Sequence, residues 1–203
     1  SAPAQPASAP AAADSAEATK PLAVGGSLPK DAAPLRVASG NLVDLAKLTE
    51  GKTSVLVFYR GGWCPYCTAH LEELAKIHPR LEAAGVQVIG ISPDSPQTIA
   101  AHLEQAPSPL TLLSDSQHAA MKAFGLAYKV DDKTMEMLRG HGMDILEASG
   151  NPEPVLPVPA VFVVKNGQIT FAHADPDYRV RLSGDEVLRA AGVAGAPTSQ
   201  PSR

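Results

Sequence analysis

Residues 59–68 read YRGGWCPYCT, and they hold both cysteines of a 203-residue chain. Upstream lies Val55-Leu56-Val57-Phe58-Tyr59, a continuous apolar run of the kind found in strands buried on both faces. Downstream, Cys67, Leu71, Leu74, His78 and Leu81 step by four and three, the spacing of one helix face, which predicts a helix over about 64–84. The cysteine pair therefore sits between a buried strand and a long helix. Cys64 falls near the helix N-terminus, where unpaired N–H groups and the macrodipole favour negative charge. A thiol so placed has its pKa lowered from ~8.5 toward ~3.5–7.5. Pro65 suits the first helical turn, where its missing N–H costs nothing. Cys67 stands one turn on, close enough for a disulfide that opens and closes with little backbone movement.

Two blander readings compete. A purely structural disulfide here would close only four residues, removing roughly 2 kcal/mol of unfolded-state entropy against ~4.7 for a long loop. A chain with one bridge to place for stability would do better with distant cysteines. Metal ligation by Cys64, Cys67 and His70 would need converging side chains, but positions 64 and 70 diverge by roughly 120° around a helix. His70 reads as a partly exposed helix residue able to tune the Cys67 thiol.

The rest of the pattern alternates. Val86–Ser92 reads as a second strand, and Pro93-Asp94-Ser95-Pro96 ends it and starts a helix to about Gln105. Leu110–Leu113 is a third strand, followed by a helix near 117–124. Residues 127–152 break the rhythm and read as a short helical insertion with loops. Ala160–Val164 and Ile169–His173 flank Asn166-Gly167, a strong hairpin signal. Ser183 with Glu186 makes a capping box for a last helix over about 184–191. The order implies an α/β sandwich with a mixed sheet. Asp175, Asp177, Tyr178, Arg179 and Arg181 form a polar segment before that last helix, read as a solvated loop, with contact to the cysteine site the weaker alternative.

The first stretch is almost all Ala, Pro and Ser, a composition that does not offset its own ordering entropy. Residues 1–26 are expected to be a disordered tail, 27–192 one domain, and 193–203 a flexible C-terminal tail. Such a leader is typical of an exported chain whose signal is removed, which points to a periplasmic location, with the cytoplasm as the alternative. The net charge is −4 with Lys and Arg scattered, so there is no nucleic-acid footprint. No apolar run approaches the ~20 residues of a membrane span. No glycine-rich phosphate loop appears, and no organic cofactor is expected. Met135, Met137, Met143 and His141 in the insertion carry ligand types that suit copper(I), but Met135 and Met137 read better as packing residues of a helix.

Trp63-Cys64-Pro65-Tyr66-Cys67 resembles the active-site turn of the thioredoxin superfamily, and Val158-Pro159-Ala160 resembles its cis-proline loop. VIGISPDSP (88–96) and LLSDSQHAAMKAFGL (112–126) resemble peroxiredoxins of the AhpC/TSA type. The resemblance implies a thioredoxin-like three-layer sandwich with a central mixed β-sheet and a small helical insertion. It also implies Cys64 and Cys67 as the reacting residues, with Trp63, Pro65, Tyr66, Val158 and Pro159 meeting the substrate. The peroxiredoxin motif P-x-x-x-T-x-x-C lays the peroxide-attacking cysteine on Cys67, the threonine on Cys64 and the proline on Arg60. The peroxide-polarising arginine falls on Pro159, leaving Arg60 to supply some of its charge. The buried acid of thioredoxins falls on Phe58, so a base for Cys67 must come from elsewhere, among Glu72, Glu73 and His70.

On this reading the leading expectation is a thiol–disulfide oxidoreductase, with Cys64 attacking a substrate disulfide and Cys67 resolving it. A thiol-dependent peroxidase using Cys67 is the first alternative. A copper-handling module is the second. The expected partners are protein thiols or disulfides and a thioredoxin-like or membrane-borne redox partner, with the chain a monomer or weak dimer.

Overall fold

The computed structural model describes residues 10–30, 32 and 34–193. Along them run β1 (Leu35–Val37), β2 (Leu42–Val43), α1 (Leu45–Thr49), β3 (Thr53–Phe58), α2 (Pro65–Ala83), β4 (Val86–Ser92), α3 (Pro96–Gln105) and β5 (Thr111–Ser114). Then follow α4 (Ala119–Ala123), β6 (Ala127–Lys129), α5 (Asp132–Gly140), α6 (Ile145–Ser149), β7 (Val155–Pro157), β8 (Ala160–Lys165), β9 (Gln168–Ala174) and α7 (Gly184–Ala190). Seven strands form one sheet in the order β2-β1-β5-β4-β3-β8-β9. The β3–β4 and β4–β5 pairs are parallel, and β3–β8 and β8–β9 are antiparallel.

Alternation along β3 builds the layers. Val55 and Val57 face α2 and α7, packing with Leu74, Leu81, Val187 and Leu188. Leu56 and Phe58 face the other way, into a cluster with Ile91, Leu113, Phe124 and Phe162. Every residue of β3 after Thr53 is buried, which is why the apolar run carries no polar alternation. This is the three-layer α/β sandwich with a mixed central sheet. Asn166 and Gly167 take positive φ of 51° and 74°, the turn that closes β8 on β9. Ser183 and Glu186 form the reciprocal cap of α7.

The insertion is more than helices. β6 and β7 pair antiparallel and, with α5 and α6, bury Val130, Met135, Leu138, Ile145 and Leu156 in a core of their own. Strands of three residues are too short to leave a period in the sequence.

The tail expected through residue 26 is a correction for residues 10–26. Ala13 pairs with Tyr128 alongside β6, Lys20 and Leu22 donate to the carbonyls of Gly125 and Phe124, and Gly25 donates to Ile169. Backbone hydrogen bonds and an apolar shelf (Ala12, Ala16 and Leu22 on the Phe58 face of the sheet) hold a segment whose composition alone does not. Residues 1–9 and 194–203 lie outside the described residues. No described helix is long and apolar enough to cross a membrane.

Candidate active site

β3 leads into the turn Tyr59-Arg60-Gly61-Gly62-Trp63, and Cys64 is the N-cap residue of α2 with Pro65 at its start. The two glycines are dictated by crowding. A Cβ on Gly61, whose φ is +151°, would strike the Trp63 indole, and one on Gly62 would strike the His102 ring. Asp94, beyond the end of β4, fixes the turn by accepting the Gly62 N–H at 2.7 Å. The Cys64 carbonyl accepts from the N–H groups of Cys67 and Thr68, both at 3.0 Å, which winds the first turn of the helix.

Cys64 and Cys67 are both free thiols, and they approach to 2.9 Å. Their settings differ. The Cys64 thiol is pulled down to about 6, first by the hydrogen bond from the Cys67 thiol. Burial opposes that, while the Cys67 backbone N–H and the charges of Arg60 and Arg181 add to it. The Cys67 thiol is pushed up, first by burial and then by the hydrogen bond and charge of Cys64, with Arg181 working against the rise.

Two guanidinium groups converge on the pair. Arg60 Nη1 lies 3.8 Å from Cys64 Sγ, and its plane is held over Trp63 at 5.1 Å and over Tyr178 at 4.2 Å. Arg181 Nη2 donates to Cys67 Sγ at 3.2 Å, and its Nε donates to the Tyr178 carbonyl at 2.8 Å. The segment read as a solvated loop is therefore split. Asp177 and Arg179 pair at the surface at 2.8 Å, whereas Tyr178 and Arg181 return to the sulfurs. No local periodicity marks that return; it is made by β9 and α7 carrying the connecting loop back across α2.

Other sequence candidates take varied positions. Trp63 is half-buried against both the cysteines and the insertion core. Pro65 is exposed, and Tyr66 is 47% exposed, edge-on to Tyr178 with ring centres 5.6 Å apart. Val158 and Pro159 are buried, and the Val158 N–H donates to the Leu126 carbonyl at 2.9 Å. His70, expected partly exposed, is buried, because its turn of α2 faces Pro159, His173 and Arg181. Phe58 packs against Phe124 and Phe162 at 4.8 and 6.0 Å, an aromatic contact with no basic function.

Cys64 lines a cleft of about 470 Å³, and Cys67 does not. Arg60, Trp63, Tyr66 and Tyr178 line it together with Tyr128, Met137, Leu138, His141 and Met143 of the insertion. Asp14 to Glu17, from the segment expected to be disordered, close its edge. Met135 is in the insertion core, away from the cleft wall, so the three methionines do not present one face.

The AhpC/TSA family matches residues 24–172. The chain belongs to the AhpC/TSA family. Within that family it is 34% identical over 106 residues to the putative peroxiredoxin bcp of Haemophilus influenzae and 33% identical over 106 residues to peroxiredoxin Bcp of Escherichia coli. Each match covers 52% of this chain and 66% of the relative. Peroxiredoxin Q of Sedum lineare chloroplasts is 33% identical over 45% of this chain and 49% of its own. The chain thus spans about half to two thirds of the length of these relatives. Among solved structures, reduced Prx3 of Vibrio vulnificus in complex with H₂O₂ superposes with a TM-score of 0.68 at 21% identity, covering 84% of this chain and 99% of that one. Peroxiredoxin Q of Xanthomonas campestris gives 0.60 at 19% identity, covering 81% and 90%. These likenesses establish the thioredoxin-like fold of this AhpC/TSA member.

Proposed function

We propose that this AhpC/TSA protein is a thiol-dependent peroxidase in which Cys64 attacks the peroxide and Cys67 resolves the product. The observation that carries it is the asymmetry of the pair. Cys64 lines this cleft and Cys67 does not, and the Cys64 thiol is pulled down to about 6 with a guanidinium 3.8 Å away. At neutral pH it is a thiolate, the form that acts as nucleophile. Attack on one peroxide oxygen forms the S–O bond and breaks O–O, giving the Cys64 sulfenic acid and an alcohol or water that takes up a proton. Arg60 is placed to stabilise the charge developing on that leaving oxygen. The Cys67 sulfur then displaces the sulfenic hydroxyl as water and the Cys64–Cys67 disulfide forms. An external dithiol reduces it by exchange, so thiol–disulfide chemistry is the second half of the same cycle. The peroxiredoxin names of the bacterial and chloroplast relatives support a peroxide substrate. The roles of the cysteines are the reverse of the motif alignment, because both are buried but only Cys64 lines this cleft, and the Cys67 thiol is pushed up.

The thiol–disulfide oxidoreductase reading keeps one observation in its favour, the placement of Cys64 at a helix N-terminus with Cys67 one turn behind. Peroxide consumption with a dithiol reductant separates the two. Cys64→Ser should consume no peroxide, and Cys67→Ser should complete one turnover and accumulate a sulfenic acid that dimedone traps. Activity surviving in Cys64→Ser but lost in Cys67→Ser would exchange the two roles. Negligible peroxide consumption beside rapid reduction of insulin disulfides would return the exchange reading to first place.

A further inference from the structure

Away from the cleft, three buried polar atoms have no hydrogen-bond partner among the described residues: both ring nitrogens of His70, and Nη1 of Arg181. They adjoin one small cavity of about 10 Å³, walled by Phe58, Pro159, His173 and Leu182. A buried polar group left unpaired destabilises the fold, so each calls for a partner. The chemistry of the three is complementary. Arg181 has only N–H groups to give. The Leu182 carbonyl favours a proton on the His70 ring without reaching hydrogen-bond geometry, which leaves the other ring nitrogen as an acceptor. A single water accepts from one and donates to the other, and a water needs about 10–15 Å³ and two to four polar partners.

We propose that a water bound between Arg181 Nη1 and His70 completes this active site, and that His70 is a positioning residue that holds Arg181 against Cys67 through it. The proposal rests on Cys67 being the resolving cysteine. When Cys67 loses its proton to attack the Cys64 sulfenic acid, the charge on its sulfur is met by the Arg181 Nη2 hydrogen bond at 3.2 Å. Among the described residues that guanidinium is otherwise fixed by its Nε bond to the Tyr178 carbonyl, and its Nη1 end has no anchor there. The groups that face His70 are Arg181, Glu73 and His173. Burial and the Arg181 charge hold its imidazole down to about 4, against the influence of Glu73, so at neutral pH the ring is an uncharged acceptor. A protonated ring would repel Arg181.

The test uses Cys67 titration and so does not depend on peroxide turnover. In a Cys64→Ser background, thiolate absorbance reports the Cys67 midpoint directly. His70→Leu should raise it by about one pH unit, the scale of one charge-assisted hydrogen bond. His70→Asn, whose amide oxygen restores an acceptor, should recover most of the shift. In the two-cysteine protein His70→Leu should slow disulfide formation about tenfold, by the same free energy, and slow sulfenic-acid formation at Cys64 far less, since Arg181 is the last of the influences on that thiol. An unmoved Cys67 midpoint, or a His70→Asn protein as shifted as His70→Leu, overturns the proposal. Should the variants fail to fold, a high-resolution crystal structure of the reduced protein decides: a water within hydrogen-bond reach of both Arg181 Nη1 and His70 supports it, and a dry cavity refutes it.

Discussion

Cys64 and Cys67 are one residue type three positions apart on one helix, and the fold makes opposite groups of them. Cys64 is at the helix start, on a cleft wall, with an N–H, a thiol and a guanidinium directed at its sulfur. Cys67 is one turn deeper and, like Cys64, buried, with a neighbouring thiolate raising its pKa and one arginine opposing the rise. A difference of one helical turn decides which sulfur is charged. At Cys64 the hydrogen bond from the Cys67 thiol, helped by the Cys67 N–H and the two arginines, outweighs burial, and at Cys67 desolvation wins.

The most direct way to break the comparison is a thiolate titration of the reduced wild-type protein by ultraviolet absorbance. One sulfur should titrate near 6 and the second above the ordinary cysteine range, a gap of at least three pH units. A single merged step near the ordinary thiol value would show that the two surroundings are equivalent after all.

Asp94 sharpens the outer half of the comparison, since it anchors the turn that presents Cys64. Burial raises its carboxyl to about 7, while the Gly62 N–H pulls the other way. The unfolded chain loses this proton near pH 4 and the folded protein keeps it until about 7, so the native state binds more protons across that window. The stability contributed by Asp94 is therefore full at low pH and falls as pH rises through 4 to 7. Asp94→Asn keeps an acceptor for Gly62 but has no proton to lose. Its melting temperature should gain on the wild type across that window, to a few kcal/mol of stability, and hold level above it. A difference independent of pH would mean that Asp94 is uncharged throughout or not buried in solution.

The smallest effect belongs to Arg60. Arg60→Ala should raise the lower titration midpoint by about one unit, as expected for loss of one nearby opposite charge that is not the main cause of the shift. Arg60→Lys should restore only part of it, because an ammonium does not stack between Trp63 and Tyr178 as a planar guanidinium does. Full restoration by lysine would show that charge alone matters there.

Short-range chemistry made much of this protein legible before any fold was known. The buried strand, the cysteine turn, the Asn-Gly hairpin and the Ser183–Glu186 cap each declare themselves within a few residues, because periodicity and capping are local interactions. What lay hidden had no local mark. β6 and β7 are three residues each, and the Ala/Pro-rich segment gains its order from partners over a hundred residues away, Ala13 on Tyr128 and Gly25 on Ile169. Arg181 looked like one more charge in a polar loop.

The amino-acid sequence alone determined that two cysteines stand one turn apart at the start of a helix behind a buried strand, since the spacing of residues sets both. Only the tertiary structure decided which sulfur meets the cleft, and that Arg181, Tyr178, His70 and the 14–17 edge gather around the pair. Burial and charge proximity depend on where the chain returns in space, and a return across 114 residues, from Cys67 to Arg181, leaves no trace in either neighbourhood.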